Sequence, residues 1–151
     1  MKKISLLILL LLTNINYSQE CVLTISGLLQ AYEYNESEFE SFAIQNGFVY
    51  NAQKKFYSCE DGTFILQGSN MMNLDVNPED WESLLYIFID VELYLKFKEE
   101  LINNYEYRTT ISEDGVRTYA YGTNKPPTSV IYLSTHTEEE TGLNFYRIEI
   151  I

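Results

Sequence analysis

The turn signal Glu60-Asp61-Gly62 is followed by the run Thr63 to Gln67 and then by Gly68-Ser69-Asn70. It has a loose echo in Glu113-Asp114-Gly115, the run Val116 to Tyr121, and Gly122-Thr123-Asn124. Asp-Gly between strand-like runs is a strong hairpin signal, because glycine accepts the positive φ that tight hairpin turns require. A recurrence at about 50 residues predicts one supersecondary unit used twice. The acids of both copies stand where turns favour Asp, so the pair punctuates the fold and carries no chemistry of its own.

The first residues read as a processing segment. Lys2 and Lys3 form a positive region, Ile4 to Leu12 is almost unbroken aliphatic, and Thr13 to Ser18 is polar. Residues 1–18 are therefore expected to be a bacterial-type secretory signal peptide, with cleavage before Gln19. The run is short for a membrane span. Glu20, not a small residue, precedes Cys21, which argues against lipid anchoring. The expected destination is the periplasm or the cell exterior, with residues 19–151 forming a single domain that has no integral membrane segment.

The whole chain carries 10 basic and 22 acidic residues. Removing Lys2 and Lys3 leaves eight bases against 22 acids, a formal charge of −14. Nucleic acid and anionic membrane surfaces are disfavoured as partners, since both are recognised by clustered Lys and Arg. A basic protein partner fits this balance, and so does plain solubility.

In an exported chain Cys21 and Cys59 can pair, closing a loop of about 38 residues and adding on the order of 3–4 kcal/mol. The alternatives are two buried thiols, or a Cys21 left near a mobile terminus.

Periodicity supplies the elements. Thr24 to Tyr34 reads as a short helix or irregular lead-in, weakened by Gly27. Asn35 with Glu38 has the form of a capping box opening a helix that Gly47 stops. Phe48 to Cys59 reads as one strand or two short ones, Thr63 to Gln67 as the next, and Glu82 to Ile89 as a strand covered on both faces or central in the sheet. Asp90 is expected to cap a second helix with the stripe Leu93, Phe97 and Leu101. That helix should end at Asn104 in the left-handed conformation that Gly47 takes in the first unit. Strands around the second Asp-Gly turn, Ser129 to Leu133 and Leu143 to Ile150 complete the chain. The expected fold is α+β: two αβββ units, about 35–89 and 90–151, with an extra terminal strand, forming an antiparallel sheet with helices packed on one face.

Catalytic, cofactor and metal constellations are not expected. His136 is the only histidine, and the sequence offers it no partner, so an ordinary surface role is expected. With one histidine and two distant cysteines, zinc lacks a ligand set. Asn73 to Asp80 has calcium-loop spacing, but Pro78 and Leu84 stand where that loop needs Gly and a bidentate Glu. The acid pairs Glu60–Asp61 and Glu113–Asp114, and the run Glu138 to Glu140, sit in turns without the burial that tunes a general acid.

Aromatic content stands out, with 13 Tyr, eight Phe and one Trp. Tyr105 and Tyr107, and Tyr119 and Tyr121, fall on one strand face each. They can serve as cross-strand packing or as a protein-binding face. The sequence leaves the oligomeric state open.

The tandem αβββ layout, the signal peptide, the acidity and the aromatic sheet together resemble the architecture of secreted β-lactamase inhibitor proteins. That resemblance implies a repeated α+β sheet whose open face grips another protein. It carries no individual interface residue to this chain. The cysteines depart from it: the family pairs them within each repeat, whereas Cys21 and Cys59 both lie in the first half. The expected function is therefore an exported, non-enzymatic protein-binding module, inhibitor- or immunity-like; the alternative is a structural or self-associating envelope accessory protein.

Overall fold

Three helices and eight strands make up the computed structural model, which describes residues 21–68, 83–123 and 128–151. The expected signal segment 1–18, the calcium-like stretch 73–80 and Pro126-Pro127 lie outside the described residues.

Thr24 caps α1 (Ile25–Tyr32), its hydroxyl accepting the Gly27 amide at 3.0 Å. Asn35 caps α2 (Glu36–Gln45) with the expected reciprocal box: the Asn35 side chain accepts the Glu38 amide and the Glu38 carboxylate accepts the Asn35 amide, each at 3.1 Å. Gly47 leaves α2 at φ +86°, the left-handed exit the sequence anticipates. Asp90 caps α3 (Val91–Asn104), accepting the Glu92 and Leu93 amides. The exit of α3 corrects the sequence expectation. Asn104 is still helical, and Tyr105 leaves directly in extended conformation at φ −128° and ψ 153°. The Asn104 side-chain Nδ2 donates to the Glu100 carbonyl at 3.0 Å and the Tyr105 backbone N–H to the Leu101 carbonyl at 3.0 Å, so the helix closes without a left-handed residue.

The strands are β1 (Val49–Asn51), β2 (Phe56–Ser58), β3 (Phe64–Gln67), β4 (Leu84–Phe88), β5 (Glu106–Glu113), β6 (Val116–Gly122), β7 (Val130–Thr137) and β8 (Asn144–Ile150). All pair antiparallel in one sheet of order β1-β2-β3-β4-β8-β7-β6-β5. The first unit holds four strands, because Phe48 to Cys59 folds back on itself. The Asn51 side chain accepts the Gln53 and Lys54 amides, and Lys55 turns at φ +57°. Each half of the chain is thus a four-stranded meander running inward, and the halves meet at the β4–β8 seam.

The two Asp-Gly turns occupy different places in this plan. The first joins β2 to β3 through residues 59–63, where the Asp61 carboxylate accepts the Thr63 amide at 2.8 Å. The second joins β5 to β6 as a two-residue turn, with Asp114 at φ +48° and Gly115 at φ +79° between the paired Glu113 and Val116. Positive φ at both central residues is what a two-residue hairpin of matching twist requires.

One face of the sheet carries all three helices. Leu84, Tyr86 and Phe88 of β4, Tyr146, Ile148 and Ile150 of β8, and Ile131 and Leu133 of β7 share a core with Ile25, Leu28, Phe39, Phe97 and Leu101 of the helices. Helix α1 lies on the seam, touching β4, β8 and both other helices. Phe97 is packed edge-on against Tyr86 and Phe88, with ring centroids at 6.0 and 5.4 Å. β4 is buried as the apolar run Leu84 to Phe88 implies, because it sits at the middle of the sheet.

Candidate tyrosine groove and the opposite sheet face

Tyr105, Tyr107, Tyr119 and Tyr121 come together. They line one groove of about 420 Å³ with Lys98, Ile102 and Thr110. The helix places one wall: Lys98 and Ile102 lie four residues apart on the shoulder of α3 beside its buried stripe, so both flank β5 and β6. The sheet places the floor. Tyr107 and Tyr121 are cross-strand partners, and their rings meet edge-to-face at 6.0 Å. Tyr121 is 3 % exposed and Tyr107 56 % exposed, so the groove grades from core to solvent over one pair of rings. The Tyr107 hydroxyl lies 2.8 Å from Thr110 Oγ1. Lys98 Nζ sits 4.9 Å over the Tyr119 ring and 6.0 Å from Tyr94, a cation held against aromatic faces. Burial, then the charge of Glu100, pushes the Tyr105 hydroxyl up; burial, then neighbouring tyrosines, does the same at Tyr121. Both therefore stay protonated at neutral pH and can donate a hydrogen bond into the groove.

The groove lies on the helix-bearing side of the sheet, at its far end. Tyr105 is not a strand residue but the cap that ends α3. A fully open aromatic face is thus replaced by a slot between a helix flank and an edge hairpin.

The opposite face carries none of the core that holds the helices. By register it presents Phe56, Phe64, Leu66, Leu85 and Ile87 in the first half, and Arg147, Glu149, Tyr132, Ser134 and His136 in the second. Phe56 and Phe64 stack at 4.7 Å, and Arg147 pairs with Glu149.

His136 departs from the expected isolated surface role. It is half-buried, stacks on Phe145 at 5.1 Å, and its Nε2 lies 2.8 Å from Ser134 Oγ. Burial, then Arg147, holds the imidazole below its ordinary pKa. Spacing two apart on one strand face is the signal that pairs these side chains, and it is visible in Ser134-Thr135-His136. A hydroxyl beside a neutral imidazole is the contact nucleophilic catalysis uses. Here Ser134 keeps only 4 % of its surface exposed, and the residue facing it across the ladder is Arg147. The arrangement reads as a satisfied polar pair in the sheet.

Cys21 and Cys59 stand as a disulfide with Cα atoms 6.3 Å apart. It ties the segment leading into α1 to the loop after β2. The Tyr86 hydroxyl reinforces that tie, donating to the Cys21 carbonyl at 3.0 Å. Among the described residues, no three His, Cys, Asp or Glu side chains gather as metal ligands. No helix among them is long and apolar enough to cross a membrane. The turn acids serve local geometry: Asp61 bonds the Thr63 amide, and Glu138 accepts the Thr141 hydroxyl at 2.5 Å.

No family model, no curated protein and no solved structure matches this chain.

Proposed function

We propose that the chain is an exported protein-binding module, inhibitor- or immunity-like, whose partner is a basic protein. The observation that carries this reading is the tyrosine groove beside the exposed β5 edge. Tyr105, Tyr107 and Tyr119, backed by the buried Tyr121, form an anchor site of the composition that interfaces favour. The formal charge of −14 after removal of residues 1–18 supplies long-range attraction for a cationic surface. The architectural resemblance to secreted β-lactamase inhibitor proteins points to the same class of role.

The test is retention of proteins from the native envelope and secreted fractions on immobilised residues 19–151, beside a Tyr107→Ala/Tyr119→Ala variant. The expected result is a basic protein held at low salt, released at high salt, and lost with the variant. Retention of nothing at low salt, or equal retention by the variant, contradicts the reading.

A second reading, a self-associating envelope accessory protein, is favoured by the Phe56–Phe64 stack on the sheet face opposite the described helices. Sedimentation separates the two: a stable homodimer supports self-association, and a monomer supports the binding module.

A further inference from the structure

The two edges of the sheet are built differently. β1 is three residues long and ends in the Asn51–Lys55 turn with Lys54 and Lys55 at its tip. β5 is eight residues long, and every one of them is exposed. A free edge offers a row of backbone N–H and C=O groups that another strand can take up, and proteins commonly block it with short length, lysine, proline or a bulge. β5 has the register shift between Tyr107 and Thr109 and, beside it, the paired charges of Glu106 and Arg108, with Glu113 at its far end. Beyond the shift the ladder from Thr109 to Glu113 is regular and carries neither proline nor lysine.

Charge selects the occupant. Arg108 is engaged by Glu106 at 3.2 Å, whereas Glu113 and Asp114 stand in neither ion pair found among the described residues. A second copy would bring like net charge to the same edge. We infer that β5 is a strand-addition site for an extended basic segment of the partner protein. This rests on the protein-binding reading and specifies its mode. Alternate side chains of an added strand fall on opposite faces. Those on the helix side reach Tyr107 and Thr110 at the mouth of the groove, and those on the other side meet Ile111 and Glu113.

The experiment titrates the folded chain, followed by its amide NMR spectrum, with an eight-residue peptide of alternating lysine and valine. An alternating glutamate–valine peptide and a lysine–valine peptide N-methylated at every residue, so that neither edge can donate, serve as controls. The expected result is a set of shifts centred on β5 and the groove, with both controls binding about tenfold more weakly or worse. Glu113→Lys, an exposed substitution that leaves the core untouched, should weaken the basic peptide about tenfold as well. No shift with the basic peptide overturns the inference, as does undiminished binding of the N-methylated peptide. Shifts confined to the Phe64 and Arg147 face overturn strand addition while leaving the protein-binding reading standing. A dimer that already protects the β5 amides without peptide assigns the edge to a second copy and overturns the basic-partner assignment. Failure to retain any protein in the capture experiment sinks the broader reading separately.

Discussion

The two halves of this molecule share an outline and differ in what holds them. In the first half the strands are three, three, four and five residues long; in the second they are eight, seven, eight and seven. Short ladders supply few backbone bonds, so the first half relies on side-chain ties. The two N–H groups of Gln67 Nε2 are shared among the carbonyls of Ala31, Tyr32 and Tyr34, at 3.0, 3.2 and 2.6 Å, closing the end of α1. The Cys21–Cys59 bond and the Tyr86–Cys21 contact fix the lead-in. The second half has long hairpins that sustain themselves, so β5 can run out with every residue exposed while β6 and α3 shape a groove behind it. Under the proposed binding reading, the working surface falls where the ladder alone holds the strands, since exposed side chains there are released from structural duty.

The largest effect should come at the joint between the halves. Phe97→Ala removes a ring from α3 that packs on β4, and should cost about 3–5 kcal/mol in urea unfolding. Because it touches both halves, the loss should appear as one cooperative transition; two separated transitions would break the comparison. Cys59→Ser should cost about 2–4 kcal/mol, with hydrogen exchange quickening first around Cys21 and the β2–β3 loop. Equal quickening in β7 would show that the tie is not local to the first half. Gln67→Ala should cost about 1–2 kcal/mol, since carbonyls at the end of α1 lose their donor. In the second half, Tyr107→Ala should change stability by less than about 1 kcal/mol, because the ring is largely in water, yet weaken a groove-bound partner about tenfold or more.

The smallest expected effect is the pH response of His136. Its folded pKa lies below the ordinary value of about 6.5 because of burial, then Arg147. The unfolded chain therefore takes up the proton more readily. Stability is unaffected by this group above the unfolded pKa and falls as pH drops through it toward the folded pKa. Between pH 7.5 and 5, wild type should lose more stability than His136→Asn; a parallel loss in both would contradict the burial of the imidazole.

Much of the fold is legible in the residues because local chemistry decides it. The Asn35–Glu38 box, Gly47, the Asp90 cap and the Asp114-Gly115 turn each satisfy a backbone requirement that only a few residue types meet. The exit at Asn104 is not legible, because its side chain covers a carbonyl of its own helix while Tyr105 goes straight into the sheet. Of the two readings the sequence leaves for Phe48 to Cys59, the pair of short strands is the one found, with the polar Asn51–Lys55 stretch as their turn; the positive φ of Lys55 there is not announced by its residue type. Strand order depends on the long-range pairing of β4 with β8, which no local pattern encodes. At the groove, strand alternation shows which tyrosines share a face. Their convergence with Lys98 and Ile102 depends on where α3 lies over β5 and β6, a tertiary fact.

The proposed working half of the molecule is the second. The direct measurement is hydrogen–deuterium exchange of the chain alone and with the basic protein it retains. Protection gained at residues 105–113 and 119–121, with the Phe56–Phe64 and Arg147 face unchanged, is the predicted result. Protection gained on that opposite face, with β5 still exchanging freely, would contradict it.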